Sequence, residues 1–296
     1  MIGKSLVAKD LKQKHLLELK EKIAYLKGGV PTLCVIQVGD NSASNKYISQ
    51  KKMMADFVGI KCDHVIYPDD VTAELLISKI EELNAEENVH GIFVQMPLPK
   101  ALSSRVKDIQ EAILPEKDVD GLTSKNAGKL LHGEPDCLVP CTPAGIIEIL
   151  CEYGIEILGK NVVVIGRSDL VGKPIAVILT QLGATVTLCH SQTQNVEFYT
   201  KNADIVVVAV GRANILKSEM VKEGATIIDV GINFVDGKMC GDADYEQIIS
   251  KASATPVPGG VGQMTVAMLG ANVYKAYCLQ NKAYCLNKNK IVDSRE

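Results

Sequence analysis

Seven short apolar runs separated by helical stretches constrain this chain more than any other feature. They are "TLCVIQV" (32–38), "CDHVIY" (62–67), "VHGIFVQM" (89–96), "NVVVIG" (161–166), "TVTLC" (185–189), "DIVVVAV" (204–210) and "TIIDVG" (226–231). The runs are rich in β-branched residues and most show no polar alternation, the pattern of strands buried on both faces. Strands that alternate with helices imply crossover connections, and therefore parallel sheets. The fold class read from this pattern is α/β. Helical spacing of apolar residues predicts helices over 5–27 (ended by Gly28-Gly29 and Pro31), around 45–54, over 72–84 and 143–153, and from Gly172. A stretch with weak periodicity and many turn residues, 114–143, is expected to join two domains, because a fresh α/β unit starts after it.

Composition narrows the functional classes. A formal net charge of −3 gives no electrostatic reason to expect nucleic acid. Charges or turn residues interrupt every apolar run before it reaches spanning length, and the N-terminus has no apolar block of a secretory signal, so no membrane partner is expected. Nine cysteines are scattered without a Cys-x-x-Cys pair; Cys137 and Cys141 have Pro140 between them and no histidine at a zinc spacing. All nine are expected to be reduced thiols in a cytoplasmic protein without a metal site. Near the end, "KAYCLQN" (275–281) is followed at once by "KAYCLNK" (282–288), a local duplication expected to extend the last helix.

Five stretches carry candidate chemistry. In "VVVIGRSDLVGKP" (162–174), Gly166 ends a strand and Gly172 opens a helix. Such a turn is a plain strand-to-helix connection or a phosphate site in which backbone amides face the anion. The end of the next strand reads "TLCHSQT" (187–193), with no acid for the ribose hydroxyls of NAD. His190 and Ser191 stand there instead, with Arg167 in the first turn, which favours the extra phosphate of NADP. "GIFVQMPLP" (91–99) places Gln95 at a strand's carboxyl end, where ligands bind in parallel sheets. "TPVPGGVGQMT" (255–265) combines rigid prolines with glycines that permit close backbone approach, and reads as a binding loop. Finally, "NKYISQKKMM" (45–54) puts Tyr47 four residues before Lys51 on one helical face, either as a surface pair or as an aromatic platform beside a catalytic amine.

Taken in order, Tyr47-x-x-x-Lys51, "GIFVQMPLP", "PEKDVDG" (115–121), "PCTPAG" (140–145), "GRSDLVGKP", "DVGIN" (229–233) and "PVPGGVG" (256–262) resemble the bifunctional methylenetetrahydrofolate dehydrogenase/methenyltetrahydrofolate cyclohydrolase family, from about residue 30 to about residue 276. The resemblance implies two α/β domains with the active cleft between them. Residues 1–141 with 266–296 would form the folate-binding catalytic domain, and 142–265 a Rossmann-like NADP-binding domain. It implies a homodimer working in one-carbon metabolism. Lys51 would be the central catalytic residue, with Gln95 tuning it, Tyr47 stacking on or orienting the folate, and Asp120 bonding the pterin. Val94 and Met96 would flank Gln95 against the substrate, and Pro258, Gly259, Gly260, Val261 and Gly262 would line the folate pocket. Thr142, Gly166, Arg167, Ser168, Ser191 and Ile232 would hold the cofactor. Two positions depart from the family's pattern: Gln263 stands where proline is usual, and Met53 where a second lysine is usual. The resemblance therefore implies the dehydrogenase more directly than the cyclohydrolase. The alternatives are a dehydrogenase with weak or no cyclohydrolase activity or with NAD preference, a non-catalytic folate- or nucleotide-binding protein, and, more distantly, an NADP dehydrogenase of a hydroxy acid or shikimate-like substrate.

Overall fold

The computed structural model describes residues 3–281. Its elements in chain order are α1 (Lys9–Ala24), β1 (Thr32–Val38), α2 (Ser42–Val58), β2 (Lys61–Tyr67), α3 (Ala73–Ala85), β3 (Gly91–Val94), α4 (Val106–Glu111), α5 (Ser124–His132), α6 (Cys141–Glu152), β4 (Asn161–Ile165), α7 (Gly172–Gln181), β5 (Thr185–Cys189), α8 (Val196–Thr200), β6 (Ile205–Val208), β7 (Thr226–Asp229), β8 (Asn233–Val235), β9 (Lys238–Cys240), α9 (Tyr245–Ile248), β10 (Ser253–Ala254) and α10 (Val261–Gln280). Two parallel sheets result: a three-stranded one in the order β2-β1-β3, and a five-stranded one in the order β10-β7-β6-β4-β5. A small antiparallel hairpin, β8-β9, follows β7.

The apolar runs of β1, β4, β6 and β7 became inner strands, whereas those of β2, β3 and β5 lie at sheet edges, with β2 and β5 partly exposed. Every residue of β1, β3, β6 and β7 is buried, and Leu33, Val35 and Ile36 have no exposed surface. Each such side chain contributes about 1.5–3 kcal/mol on burial. The helix α10 joins the layers. It packs on α6 where Gly145 brings its backbone against Met264, and on α1 and α2 where Gly270 admits Leu19 and Met54 to within 2.9 Å of the place a Cβ would take. Residues 3–6 run along β10, with Leu6 N donating to Ala254 O at 2.9 Å.

The stretch 114–143 is more regular than its sequence suggests. It contains α5, started by the Thr123 hydroxyl, which accepts from Asn126 N, and ended at Gly133 in a left-handed conformation. The duplicated repeat at 282–288 lies outside the described residues. Among the described residues, Cys34, Cys62, Cys137, Cys141, Cys151, Cys189 and Cys240 are free thiols.

Candidate active site

The site is built first on one face of the small sheet. Register places Val35 opposite both His64 and Phe93, and Gln95 N extends the ladder by donating to Ile36 O at 2.8 Å. Phe93 and Gln95, two apart on an extended chain, therefore point to the same side. Across that side lies α2, with Ile48, Met54 and Ala55 buried against it. The same face carries Lys51, only 8% exposed. Its Nζ donates to Gln95 Oε1 at 2.6 Å and stands 3.6 Å from the centre of the Phe93 ring. Gln95 is itself oriented, since its Nε2 donates to Met96 O at 2.6 Å. Burial pulls the Lys51 amine down to about 8, against the pull of Asp120 in the other direction. Asp120 is pushed up to about 6, chiefly by burial and then by Asp118, while Lys51 and the Cys141 thiol act to lower it. An amine and a carboxylate thus share a poorly solvated corner, each moved toward neutrality.

Asp120 is delivered there by a turn that sequence reasoning passed over. Asp118, 2% exposed, accepts from the backbone N of Gly121, Leu122 and Thr123 and from Asn126 Nδ2, all between 2.8 and 3.2 Å. From α10, Asn272 Nδ2 donates to Val119 O at 2.9 Å and Val139 O at 2.8 Å, fastening the turn before Asp120 and the segment that leads into Cys141.

One turn along α2, Tyr47 stands 39% exposed at the rim of a cavity of about 140 Å³. The cavity runs from Tyr47 and Gln50 to Gly231 and Ile232 after β7, and its floor is Pro256 to Gln263. Pro258, Gly259, Gly260, Val261 and Gly262 are all in its wall. Both X-Pro bonds flanking the site, Met96–Pro97 and Val257–Pro258, are cis. Gln263 does not disturb the entry to α10: the helix starts at Val261, and Gln263 N donates to Gly260 O at 3.0 Å.

The carboxyl ends of the larger sheet form the other side. Gly166, at φ +122°, is a position where a Cβ would meet Ala209 O at 2.3 Å, and one on Gly172 would meet Gly166 O at 2.0 Å. Only glycines allow this tight turn. Arg167 and Ser168 are exposed beyond it; the Ser168 hydroxyl accepts from Val171 N and Gly172 N at the start of α7. Ser191 is exposed next to His190, whose Nδ1 accepts from Gln192 N at 3.2 Å. Thr142 and Thr265 meet through their hydroxyls at 3.1 Å, between α6 and α10. Ile232 is 43% exposed into the shared cavity. Two buried acids organise these loops. Asp242 accepts from Val210, Gly211 and Arg212 N and from Asn233 Nδ2; Asp229 accepts from Gly231, Asp242 and Ala243 N.

The structure therefore gathers Lys51, Gln95 and Asp120 in one corner, Tyr47, Ile232 and 258–262 around one cavity, and Gly166, Arg167, Ser168 and Ser191 at the ends of β4 and β5. Among the described residues no group of three or more histidine, cysteine, aspartate or glutamate side chains could hold a metal, and no helix is long and apolar enough to cross a membrane.

Residues 6–120 match the catalytic domain of tetrahydrofolate dehydrogenase/cyclohydrolase, and residues 140–281 match the NAD(P)-binding domain of the same enzyme. The chain belongs to the tetrahydrofolate dehydrogenase/cyclohydrolase family. Within that family it is 49% identical over 267 residues to the bifunctional protein FolD of Bacillus pumilus, an alignment covering 89% of this chain and 91% of the relative. The bifunctional FolD methylenetetrahydrofolate dehydrogenase/cyclohydrolase of Campylobacter jejuni superposes with a TM-score of 0.90 at 43% identity, over 93% of this chain and 98% of that one. The Trypanosoma brucei family member, solved with NADP cofactor and inhibitor, superposes with a TM-score of 0.89 at 35% identity, over 95% and 99% of the two chains.

Proposed function

We propose that this chain oxidises methylene-tetrahydrofolate with NADP and hydrolyses the methenyl product to formyl-tetrahydrofolate. The observation that carries this reading is the buried Lys51–Gln95 pair with Asp120 close enough to act on the amine, one helical turn from Tyr47, which lines a cavity with the loop after β7 and residues 256–263. The relatives' bifunctional names and the NADP bound to the trypanosomal protein support it.

The residues at the ends of β4, β5 and β7 fit a dinucleotide. The Gly166 turn leaves no room for side chains at Gly166 and Gly172, and the exposed Arg167 offers a cation, with no acid at the end of β5 to repel a 2′-phosphate. Gly166, Arg167, Ser168, Ser191, Thr142 and Ile232 would hold NADP, which when bound supplies the hydride acceptor. The protein's part in that oxidation is alignment: Tyr47 gives a flat ligand its platform on one side, and Ile232 faces it across the cavity.

Hydrolysis asks more of the side chains. A water attacking the methenyl carbon must lose a proton. Lys51 can take it only as a neutral amine, and burial already brings the amine to about 8. A cationic substrate lowers it further. Gln95 Oε1 holds the amine in place, and Asp120 accepts from the pterin's N–H groups. Residues 1–141 with 266–296 would be the folate-binding part and 142–265 the cofactor-binding part, and the working form would be a homodimer.

The test follows reduced cofactor and methenyl-tetrahydrofolate together, with NADP and NAD in parallel. Reduction with NADP, little with NAD and no methenyl build-up is the expected result. Methenyl build-up would leave a dehydrogenase with a weak second step, and no reduction with either cofactor would overturn the reading.

A further inference from the structure

A second lysine on α2 is engaged as fully as Lys51, through a set of side chains the proposed reaction does not use. Lys52 Nζ stands 2.9 Å from His64 Nδ1, and His64 Nε2 stands 2.9 Å from Gln37 Oε1. Gln37 Nε2 donates to Gly39 O and to Asn45 Oδ1, both at 2.8 Å. Asn45 Nδ2 then donates to Asp40 Oδ1 at 2.6 Å. The protons in this chain are determined by donor capacity. An ammonium only donates, so His64 Nδ1 accepts and its proton is on Nε2. That proton goes to Gln37 Oε1, which leaves the Gln37 amide free to donate twice, as it does. His64 is therefore a neutral imidazole, and both burial and the Lys52 charge favour that state.

The path begins and ends on the same helix. It leaves α2 at Lys52, crosses β2 at His64 and β1 at Gln37, and returns to α2 at Asn45. Asn45 and Lys52 are seven residues apart, two helical turns, so both face the sheet. Tyr47 and Lys51 lie between them. Register makes the arrangement a row: His64, Val35 and Phe93 align across β2, β1 and β3. One step toward the carboxyl ends, Gln37 and Gln95 lie on neighbouring strands. Each glutamine serves one of two successive lysines, Gln95 directly and Gln37 through His64.

We propose that His64 is a positioning residue: with Gln37 it clips α2 to the sheet at Asn45 and Lys52, and so sets where Tyr47 and Lys51 stand. A helix held at one point only can roll about that point. Held at both ends of the stretch, it presents the tyrosine ring and the amine at a fixed angle to one ligand. The inference rests on the reading of Lys51 and Tyr47 given above.

The experiment compares the whole protein with His64→Leu, which removes both arms of the clip, and His64→Gln, whose amide can accept from Lys52 and donate to Gln37. Hydrogen exchange of peptides covering 42–58 is measured beside kcat and KM for both reactions. His64→Leu is expected to speed exchange in α2 about tenfold while β4 to β7 keep their protection. It should lower both kcat values about tenfold with the KM for NADP within about twofold. His64→Gln should recover most of both losses. Unchanged α2 exchange in His64→Leu would overturn the proposal, and so would a glutamine variant no better than leucine. If His64→Leu does not fold, Lys52→Met opens the clip from the helix side, and unchanged exchange there overturns it equally. A wild-type protein inactive on methylene-tetrahydrofolate would remove the catalytic reading alone, since exchange still decides whether the clip exists.

Discussion

The two sheets use the same device to different ends. Beside the small sheet, Asp118 accepts three backbone N–H groups and the Asn126 amide; beside the large one, Asp242 accepts three backbone N–H groups and the Asn233 amide. Both carboxylates are buried, and both have traded hydration for four fixed donors. What they hold differs. The turn fixed by Asp118 delivers another side chain, Asp120, to the corner of Lys51. The loops fixed by Asp242 deliver backbone and the apolar face of Ile232. On the proposed function, the corner of Lys51 and Asp120 would serve proton chemistry through side chains, and the loops around Ile232 would hold a ligand by shape and main chain. Substitutions should separate the two halves.

The largest separation is expected from Lys51→Met, which keeps an unbranched stem over Phe93 and removes the amine. Hydrolysis of methenyl-tetrahydrofolate should fall about 10³-fold, the scale of a lost general base. Affinity for NADP, measured by titration, should stay within about twofold. An unchanged hydrolysis rate would remove Lys51 from its assigned place.

Next come the two organising acids. Asp118→Ala and Asp242→Ala each strand four donors in the interior, and each should cost about 3 kcal/mol in denaturant unfolding. Their kinetic signatures should differ: a lowered kcat with little change in the KM for NADP for Asp118→Ala, a raised KM for NADP with kcat less affected for Asp242→Ala. Identical signatures would mean that the halves are not separable in this way.

These acids also mark the boundary of what the sequence discloses. Strands were legible because an apolar run shows in the residues themselves; the runs at 32–38 and 185–189 became β1 and β5 with the same limits. The helix α5 was not, because "SKNAGKLLH" offers barely two turns of periodicity and owes its ends to Thr123 and Gly133. Asp242 takes its meaning from donors 30 to 32 residues earlier, and no local pattern encodes such a contact. Phe93 read as one more core residue of a strand until α2 laid Lys51 across its ring. Lys51, Tyr47 and Gln95 could be singled out from their spacing and strand-end position. Asp120 emerged only through the family resemblance, since nothing in "KDVDG" says which aspartate holds the turn and which is held by it.

The pH dependence sharpens the side-chain half. With the amine brought down to about 8 in the free protein, kcat/KM for hydrolysis should rise with pH through that value as Lys51 loses its proton. Gln95→Glu places a carboxylate against the ammonium and favours the charged form, so the rise should move alkaline by about one unit. Stability carries its own sign. Between about 8 and the ordinary 10.5 the unfolded chain holds a proton that folded Lys51 has lost, so the native state gains as pH rises across that window. Gln95→Glu should narrow the window, which unfolding at pH 8 and 10 would reveal.

The smallest effect is expected at Met53, where the family's usual second lysine is missing. Two residues on from Lys51, a helical side chain is turned about 200° away. Met53 accordingly stands 70% exposed, while Lys51 is buried over Phe93. A lysine restored there would place its charge in water on the far side of α2, screened from the corner where Lys51 and Asp120 meet. Met53→Lys should therefore change the hydrolysis rate by less than about twofold and leave the midpoint of its pH profile in place. A larger gain would mean that position 53 reaches the ligand from the rim, and the proton chemistry would then extend beyond the buried corner to the exposed face of the helix.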